Sequence, residues 1–206
     1  MANNMKSFVS VQGTDEVIKM VDERIQRVEQ LSKDPNVDNG NGIHAFAVAF
    51  YDNVETAEDG KSVMNGWSLD NLGAKWTYLY DVQGEGEFSL ESAWYPPKEF
   101  FIHLYKLCLE IDPDSSIEVT YEDEGYSPIG AYVLSKDLDG TPCIWNEEDH
   151  DMEDPTLEME WDDEDYDQTQ SDFVDSIYDR TQELLQNCRT YVLSDGEPVV
   201  EMGEDE

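Results

Sequence analysis

The alternation of apolar and polar residues along the first fifty positions predicts one strand followed by a helix. Residues 8–11 form a short apolar run that a glycine ends, a pattern typical of a strand. From Thr14 onward, apolar side chains recur at steps of three and four residues as far as Leu31, which predicts an amphipathic helix begun by Thr14. Residues 34–42 are rich in Pro, Gly and Asn and predict a loop. Residues 43–51 are apolar almost throughout, so a buried strand and a short helix both stay open.

The middle of the chain predicts further strands around a second helix. Residues 76–82 and 88–94 are typical of two strands joined by a glycine-rich turn. The second helix opens at two consecutive prolines, where proline is tolerated, and strands over residues 117–121 and 129–134 follow it. The expected order is β-α-(β)-β-β-α-β-β, which contains the pattern of a ferredoxin-like split β-α-β unit. We therefore expect an α+β fold whose helices pack on one face of an antiparallel sheet.

The last third of the chain differs from the rest in composition. We expect residues 1–136 to form the ferredoxin-like α+β domain, and residues 137–206 to form a highly acidic extension packed on it. Within this extension the sequence predicts an acidic segment at 147–167 and, at 191–200, a hairpin. Between them lies a predicted helix, 171–188, begun by a serine, whose apolar side consists of Phe173, Val174, Ile177, Leu184, Leu185 and Cys188.

Charge changes this picture most. The 206 residues include 49 acidic and 12 basic ones, for a formal net charge of −37, whereas a small folded domain usually has a magnitude of about 2–8. Residues 1–136 carry 24 acids and 10 bases, and residues 137–206 carry 25 acids and 2 bases. Such concentrated charge opposes compaction through self-repulsion. It therefore indicates one of three purposes: imitating nucleic acid, binding cations, or staying soluble in concentrated salt.

Candidate chemistry is sparse. The three histidines, His44, His103 and His150, lie far apart, and no nucleophile, phosphate-loop or dinucleotide motif is present. We therefore expect no enzyme activity, no cofactor and no metal site. Residues 135–146 place a glycine where a calcium loop needs one, but the first and last positions are Ser and Asn, so calcium binding is at most a weak alternative. The sequence contains no apolar run of 18 residues and no secretory signal at its start. Its three cysteines lie far apart and form no CxxC pair. We therefore expect a cytoplasmic protein with reduced thiols.

The acidity favours a partner that itself binds nucleic acid. Direct binding of nucleic acid needs Lys and Arg to release counterions from phosphates, and these residues are few. A dense set of carboxylates instead presents an electrostatic field like that of DNA, to which the basic cleft of such a partner would be attracted. The residues expected to bind such a partner are Glu147, Glu148, Asp149, Asp151, Glu153, Asp154, Glu158, Glu160, Trp161, Asp162, Asp163, Glu164, Asp165, Asp167, Asp172, Asp175 and Asp179.

Two other interpretations of the acidic segment stay open. Leu157, Met159 and Trp161 alternate with acids, so they could anchor a partner or form the buried face of an edge strand. The whole of 147–167 could also be a disordered acidic loop. Against that interpretation, acids also recur at three- and four-residue steps along the predicted last helix, from Asp172 to Glu183. Such like-charged neighbours destabilise a helix slightly, so solubility alone does not explain them.

Three short motifs carry a family resemblance. They are residues 71–76 (NLGAKW), residues 92–97 (SAWYPP) and residues 121–125 (YEDEG). Over about residues 67–132 the chain resembles an uncharacterised family associated with phages and mobile elements, with a predicted ferredoxin-like domain. The resemblance implies the fold and a counter-defence setting in a bacterial host cytoplasm, and it implies no chemistry. Trp76 and Trp94 are expected to pack under the second helix.

Together these observations predict a non-catalytic acidic protein of phage type that mimics nucleic acid. Its expected partner is a basic, nucleic-acid-binding host protein of defence or recombination, with no direct contact to nucleic acid or membrane. The alternative is an acidic adaptor or chaperone for basic proteins, which would bind them without displacing DNA.

Overall fold

A computed structural model describes residues 3–34, 43–51, 62–159, 165–194 and 200–201. The strands are β1 (Asn4–Gln12), β2 (Lys75–Gly84), β3 (Glu87–Ala93), β4 (Ser116–Asp123), β5 (Ile129–Lys136), β6 (Pro142–Asp149) and β7 (Val200–Glu201). The helices are α1 (Asp15–Ser32), α2 (Ile43–Phe50), α3 (Ser62–Leu72), α4 (Lys98–Ile111) and α5 (Tyr166–Ser194), with a 3₁₀ helix at Pro155–Glu158.

The strands form one sheet in the order β2-β3-β1-β4-β5-β6-β7, and every neighbouring pair is antiparallel. Six strands make up its body, and β7 adds a two-residue pairing to the edge of β6. The predicted α+β class with an antiparallel sheet is thus confirmed. None of the helices in the described part of the chain is long and apolar enough to cross a membrane.

One face of the sheet is covered by α1, α2 and α4. In α1 the side chains that recur every three or four residues, Val17, Val21, Ile25 and Val28, are all buried, as the sequence pattern predicts. They pack with the apolar face of α4 and with alternate residues of β1, β3 and β4 in one large core. This burial of apolar surface is the main favourable term in folding.

The opposite face carries a second core beneath α5. Here β5 and β6 contribute Ile129, Ala131, Val133, Cys143 and Trp145, and α5 contributes Phe173, Ile177, Leu184, Leu185 and Cys188. Because successive residues of a strand point to opposite faces, β5 takes part in both cores. Helix α5 packs mainly on β5 and β6 and reaches over β4, and residues of β1 and β3 line cavities beside it.

Several predictions about individual elements are wrong. Residues 43–50 form a helix, one of the two alternatives that the sequence left open, and neither α3 nor β6 was predicted. Helix α5 begins at Tyr166, five residues before the predicted start, and residues 191–194 remain helical, so the hairpin predicted at 191–200 does not begin there. The expected domain boundary at 136/137 stays a prediction; it coincides with the turn between β5 and β6, two strands that pair from end to end.

The two tryptophans of the resemblance motifs are exposed instead of buried under the helix. Trp76 and Trp94 are each more than two-fifths exposed, and their ring centroids lie 6.0 Å apart. Both have positive φ values, 54° and 65°, and the pairing of β2 with β3 shifts register just after Lys75. A left-handed residue at such an irregularity turns its side chain away from the regular alternation, which explains the outward position.

Candidate functional site

Helix α5 presents four of the predicted binding residues, Asp167, Asp172, Asp175 and Asp179. Its buried side faces β5 and β6, and the carboxylates of Asp172, Asp175, Asp179 and Glu183 lie exposed on the other side. We name these four residues the acidic stripe. At 100° per residue they fall within about 80° of one another around the helix axis, opposite the buried side. The prediction of acids along the solvent face of this helix is confirmed.

The spacing of the acidic stripe is comparable to that of phosphates. From Asp172 to Glu183 the helix rises by about 16 Å at 1.5 Å per residue, so the stripe presents one carboxylate for about every 5 Å. A strand of B-DNA presents one phosphate per about 3.4 Å of axis. Asp165 and Asp167, at the start of α5, extend the exposed acids toward the helix N-terminus, where the helix dipole favours negative charge.

The basic residues near this surface are already paired. Residues 137–206 contain two, Arg180 and Arg189. Arg180 donates from Nε to Asp149 Oδ2 at 2.7 Å and from Nη1 to Glu183 Oε2 at 2.6 Å. Arg189 donates to both carboxylate oxygens of Glu118, at 2.7 and 2.6 Å. Both arginines therefore fasten α5 to the sheet or to its own turn. Arg180 compensates the charge of Glu183, so Asp172, Asp175 and Asp179 carry the remaining charge of the acidic stripe.

Four of the predicted binding residues have structural roles at the end of β6 and just after it. The Asp151 amide and the Arg180 guanidinium hold the pKa of Asp149 below its usual value. Glu148 accepts hydrogen bonds from Tyr121 at 2.6 Å and pairs with His150. A hydrogen bond to Glu147 raises the pKa of Tyr191, and Asp154 caps the 3₁₀ helix through the Thr156 amide at 2.8 Å. These four acids therefore make contacts within the folded chain.

The remaining predicted residues divide into two groups. Asp151, Glu153, Asp165, Asp167, Asp172, Asp175 and Asp179 are exposed in the structure, and Glu158 lies at the end of the 3₁₀ helix. Residues Glu160, Trp161, Asp162, Asp163 and Glu164 lie outside the described residues. The edge-strand interpretation of this segment is wrong at Leu157, which belongs to the 3₁₀ helix.

Groups that could serve catalysis are occupied with packing. His103 donates from Nε2 to the Phe50 carbonyl at 3.0 Å and stacks on Tyr51 with ring centroids 4.0 Å apart. Burial lowers the pKa of His103, so its imidazole is held neutral. Burial also raises the pKa of Cys108 and of Cys188 to about 12, which keeps both thiols protonated. In the loop considered for calcium, Asp137 Oδ1 accepts from the amides of Asp139 and Thr141.

Sequence reasoning missed a second surface beside α5. Val174 was expected on the buried side of the helix, but it is exposed, and with Tyr178 it faces the outer side of β1 and β4. The pattern contained a weak signal: Val174, Tyr178 and Gln182 recur at four-residue steps just beside the buried residues.

Comparisons with protein-family models, with curated proteins and with solved structures find no match to this chain. The phage-family resemblance accordingly stays a prediction.

Proposed function

We propose that this chain is a non-catalytic acidic binding protein that occupies the nucleic-acid-binding surface of a basic protein. The observation that supports it is the acidic stripe, a row of exposed carboxylates on a helix anchored by a buried core and by paired arginines. A rigid array retains its field on binding, whereas a flexible acidic tail must first be ordered at an entropic cost.

We also propose a fold family and a cellular location for this protein. The strand order β2-β3-β1-β4, with α1 and α4 on one face, agrees with a ferredoxin-like split β-α-β unit to which β5, β6 and α5 are added. We place the protein in the cytoplasm, and the resemblance to a phage-associated family suggests a bacterial defence or recombination protein as the partner.

Electrostatics determines how such a complex should behave. Opposite charge accelerates encounter and makes binding fall steeply as salt rises. Charge raises the association rate. A specific partner must also bury apolar side chains in the interface, because that burial slows dissociation. A specific complex should therefore elute later in a salt gradient than proteins held by charge alone.

The test is capture from nuclease-treated bacterial lysate on the immobilised full-length chain, eluted with a salt gradient. The variant Asp172→Asn, Asp175→Asn, Asp179→Asn removes three charges from the acidic stripe. Its matched control, Glu16→Gln, Glu23→Gln, Glu29→Gln, removes three from exposed positions of α1 on the other side of the sheet.

We expect one stoichiometric nucleic-acid-binding protein to elute late from the wild type and from the α1 variant, and to be lost from the stripe variant. Equal retention by both variants, or only a smear of basic proteins at low salt, would rule out the acidic stripe as a specific contact.

A further inference from the structure

A groove runs between α5 and the part of the sheet that the helix leaves uncovered. It contains two adjoining cavities, of about 350 and about 500 Å³. Phe8 of β1, Thr120 of β4 and Gln182 of α5 line both, so the cavities are continuous along the helix. From Val174 to Arg189 the groove follows α5 for about 22 Å, which matches about six or seven residues of extended chain.

The smaller cavity combines apolar walls with one carboxylate. Phe8, Val174 and Tyr178 line it and are 42, 45 and 64% exposed, a concentration of surface apolar groups that indicates an interaction site. Glu122 of β4 lines the same cavity and is only partly exposed. None of the residues described donates a hydrogen bond to its carboxylate. Lys6, which lies opposite Glu122 in the β1–β4 pairing, has its Nζ over the Tyr80 ring, 5.1 Å from the centroid.

A carboxylate in this position is a destabilising feature of the unbound protein. Removing a charged group from water is unfavourable unless a partner compensates it. Burial accordingly raises the pKa of Glu122, an effect that Lys6 only partly offsets. A cationic group that entered the cavity would supply the missing compensation, so the site is arranged for a positive ligand.

The larger cavity suits the backbone of a peptide. Its lining includes the amides and hydroxyls of Gln12, Gln83, Gln182, Ser10 and Ser89, and such groups can both donate to and accept from a peptide unit. Three charged residues, Glu87, Glu118 and Arg189, line it as well. Arg189 is paired with Glu118, so the charge of Glu87 remains, and it disfavours phosphate groups relative to a polypeptide.

We propose that this groove binds an extended basic segment of a partner protein, with an arginine side chain of that segment in the smaller cavity. The aliphatic stem of the arginine packs between Phe8 and Val174, its guanidinium pairs with Glu122, and the Tyr178 ring covers it. Arginine fits better than lysine because its planar guanidinium binds a carboxylate through two hydrogen bonds and stacks on an aromatic ring. The groove adjoins the acidic stripe but shares no residue with it, so this inference does not rest on the proposed function.

The test measures binding of a labelled nine-residue peptide by fluorescence anisotropy on the full-length chain. The peptide is alanine-rich with a central arginine and two lysines, and a second peptide has uncharged citrulline in place of the arginine. The variant Glu122→Gln keeps the shape of the side chain and removes its charge. Glu110→Gln, at an exposed position of α4 on the other sheet face, changes the net charge equally and serves as the matched control.

We expect Glu122→Gln to weaken binding of the arginine peptide by about tenfold or more, the scale of one charged hydrogen-bonded pair. Glu110→Gln should change it less than about twofold, and citrulline should weaken it as much as Glu122→Gln does. Tyr178→Ala should weaken it by about threefold or more through the lost stacking. The stripe variant Asp172→Asn, Asp175→Asn, Asp179→Asn should retain most of the affinity, which separates this inference from the proposed function.

Four outcomes would overturn the inference, and the first three concern the peptides. They are equal effects of Glu122→Gln and Glu110→Gln, unchanged binding of the citrulline peptide, and no binding of the arginine peptide at millimolar concentration. Tighter binding of a single-stranded oligonucleotide than of the arginine peptide would likewise show that the groove recognises bases instead of a basic segment.

Discussion

Glu122 shows how a single residue can be unfavourable for the fold and useful on its surface. Its pKa is raised above the ordinary value of 4.5, chiefly by burial. A raised carboxyl pKa means that the neutral form suits the folded state, so its contribution to stability is full below about pH 4.5 and is lost as pH rises through the folded pKa. At neutral pH the ionised side chain therefore destabilises the protein.

Replacing Glu122 by Gln should consequently raise stability at pH 7.5, because Gln never carries the charge. The midpoint of urea unfolding should be higher for Glu122→Gln than for wild type, and the difference should shrink as the pH is lowered toward 4.5. Glu110→Gln corrects for the overall change in net charge, and an equal gain from that variant would contradict the role of burial at Glu122.

Gly130 is required by a close approach of another side chain. It lies opposite Tyr121 in the β4–β5 pairing, and a Cβ added there would stand 2.3 Å from the Tyr121 hydroxyl and 2.7 Å from the Glu147 carbonyl oxygen. Tyr121 crosses over the glycine so that its hydroxyl reaches Glu148 of β6 at 2.6 Å. A methyl group at residue 130 would displace this ring.

Gly130→Ala should therefore destabilise the protein by about 1–3 kcal/mol, the usual cost of overpacking. Gly66→Ala is the control, since nothing lies within 4 Å of a Cβ at that position of α3, and alanine should stabilise the helix by about 0.5–1 kcal/mol. Both values come from urea unfolding. Equal stability of the two variants would show that Tyr121 can move aside without loss.

Among the elements, α5 depends on its buried side for its position. Ile177 is 1% exposed and packs in the core shared with β5 and β6, whereas the adjacent Tyr178 is exposed. Ile177→Ala should destabilise the protein by about 2–5 kcal/mol through loss of burial and the cavity left behind. Tyr178→Ala should change stability by no more than about 0.5 kcal/mol.

Hydrogen exchange shows which part of the molecule loses stability in Ile177→Ala. With Ile177→Ala, amides of α5 should exchange faster than those of α1, because the second core is separate from the first. Uniform acceleration across α1 and α5 would mean that the two cores unfold as one, and no change at all would contradict the packing of α5 on the sheet.

The success of sequence reasoning differed from element to element for physical reasons. Helices α1 and α4 and strands β1 and β4 each have one buried face, so their periodicity is visible. Helix α2 is apolar nearly all round because almost all of its residues are buried. In β6 both faces are covered, by Ile144 in one core and Trp145 in the other, and the acids that follow conceal the strand.

The two candidate surfaces were predictable to different degrees. The acidic stripe belongs to one helix, so the three- and four-residue spacing of Asp172, Asp175 and Asp179 reveals it. The groove could not be found in this way. It depends on how far α5 lies from β1, which places Phe8 beside Val174, residues 166 positions apart in the chain. Tertiary packing alone creates that juxtaposition.

For the whole molecule, a net charge of −37 should make folding sensitive to salt. Repulsion between exposed charges is screened over about 10 Å at 0.1 M ionic strength. The urea midpoint should therefore rise between 0.05 and 0.5 M NaCl, and rise less for the stripe variant Asp172→Asn, Asp175→Asn, Asp179→Asn. A midpoint independent of salt would show that the carboxylates are too far apart in the folded state to repel one another.

The central claim is that the protein and nucleic acid exclude each other on one partner. The most direct measurement titrates the full-length chain into the captured partner already bound to labelled duplex DNA, at fixed salt, with polyglutamate of equal charge as the polyanion control. We predict complete, competitive displacement of the DNA, at least about tenfold weaker for the stripe variant than for Glu16→Gln, Glu23→Gln, Glu29→Gln. A stable ternary complex with unchanged DNA affinity would contradict mimicry and indicate an adaptor, and equal displacement by polyglutamate would show that charge alone is responsible.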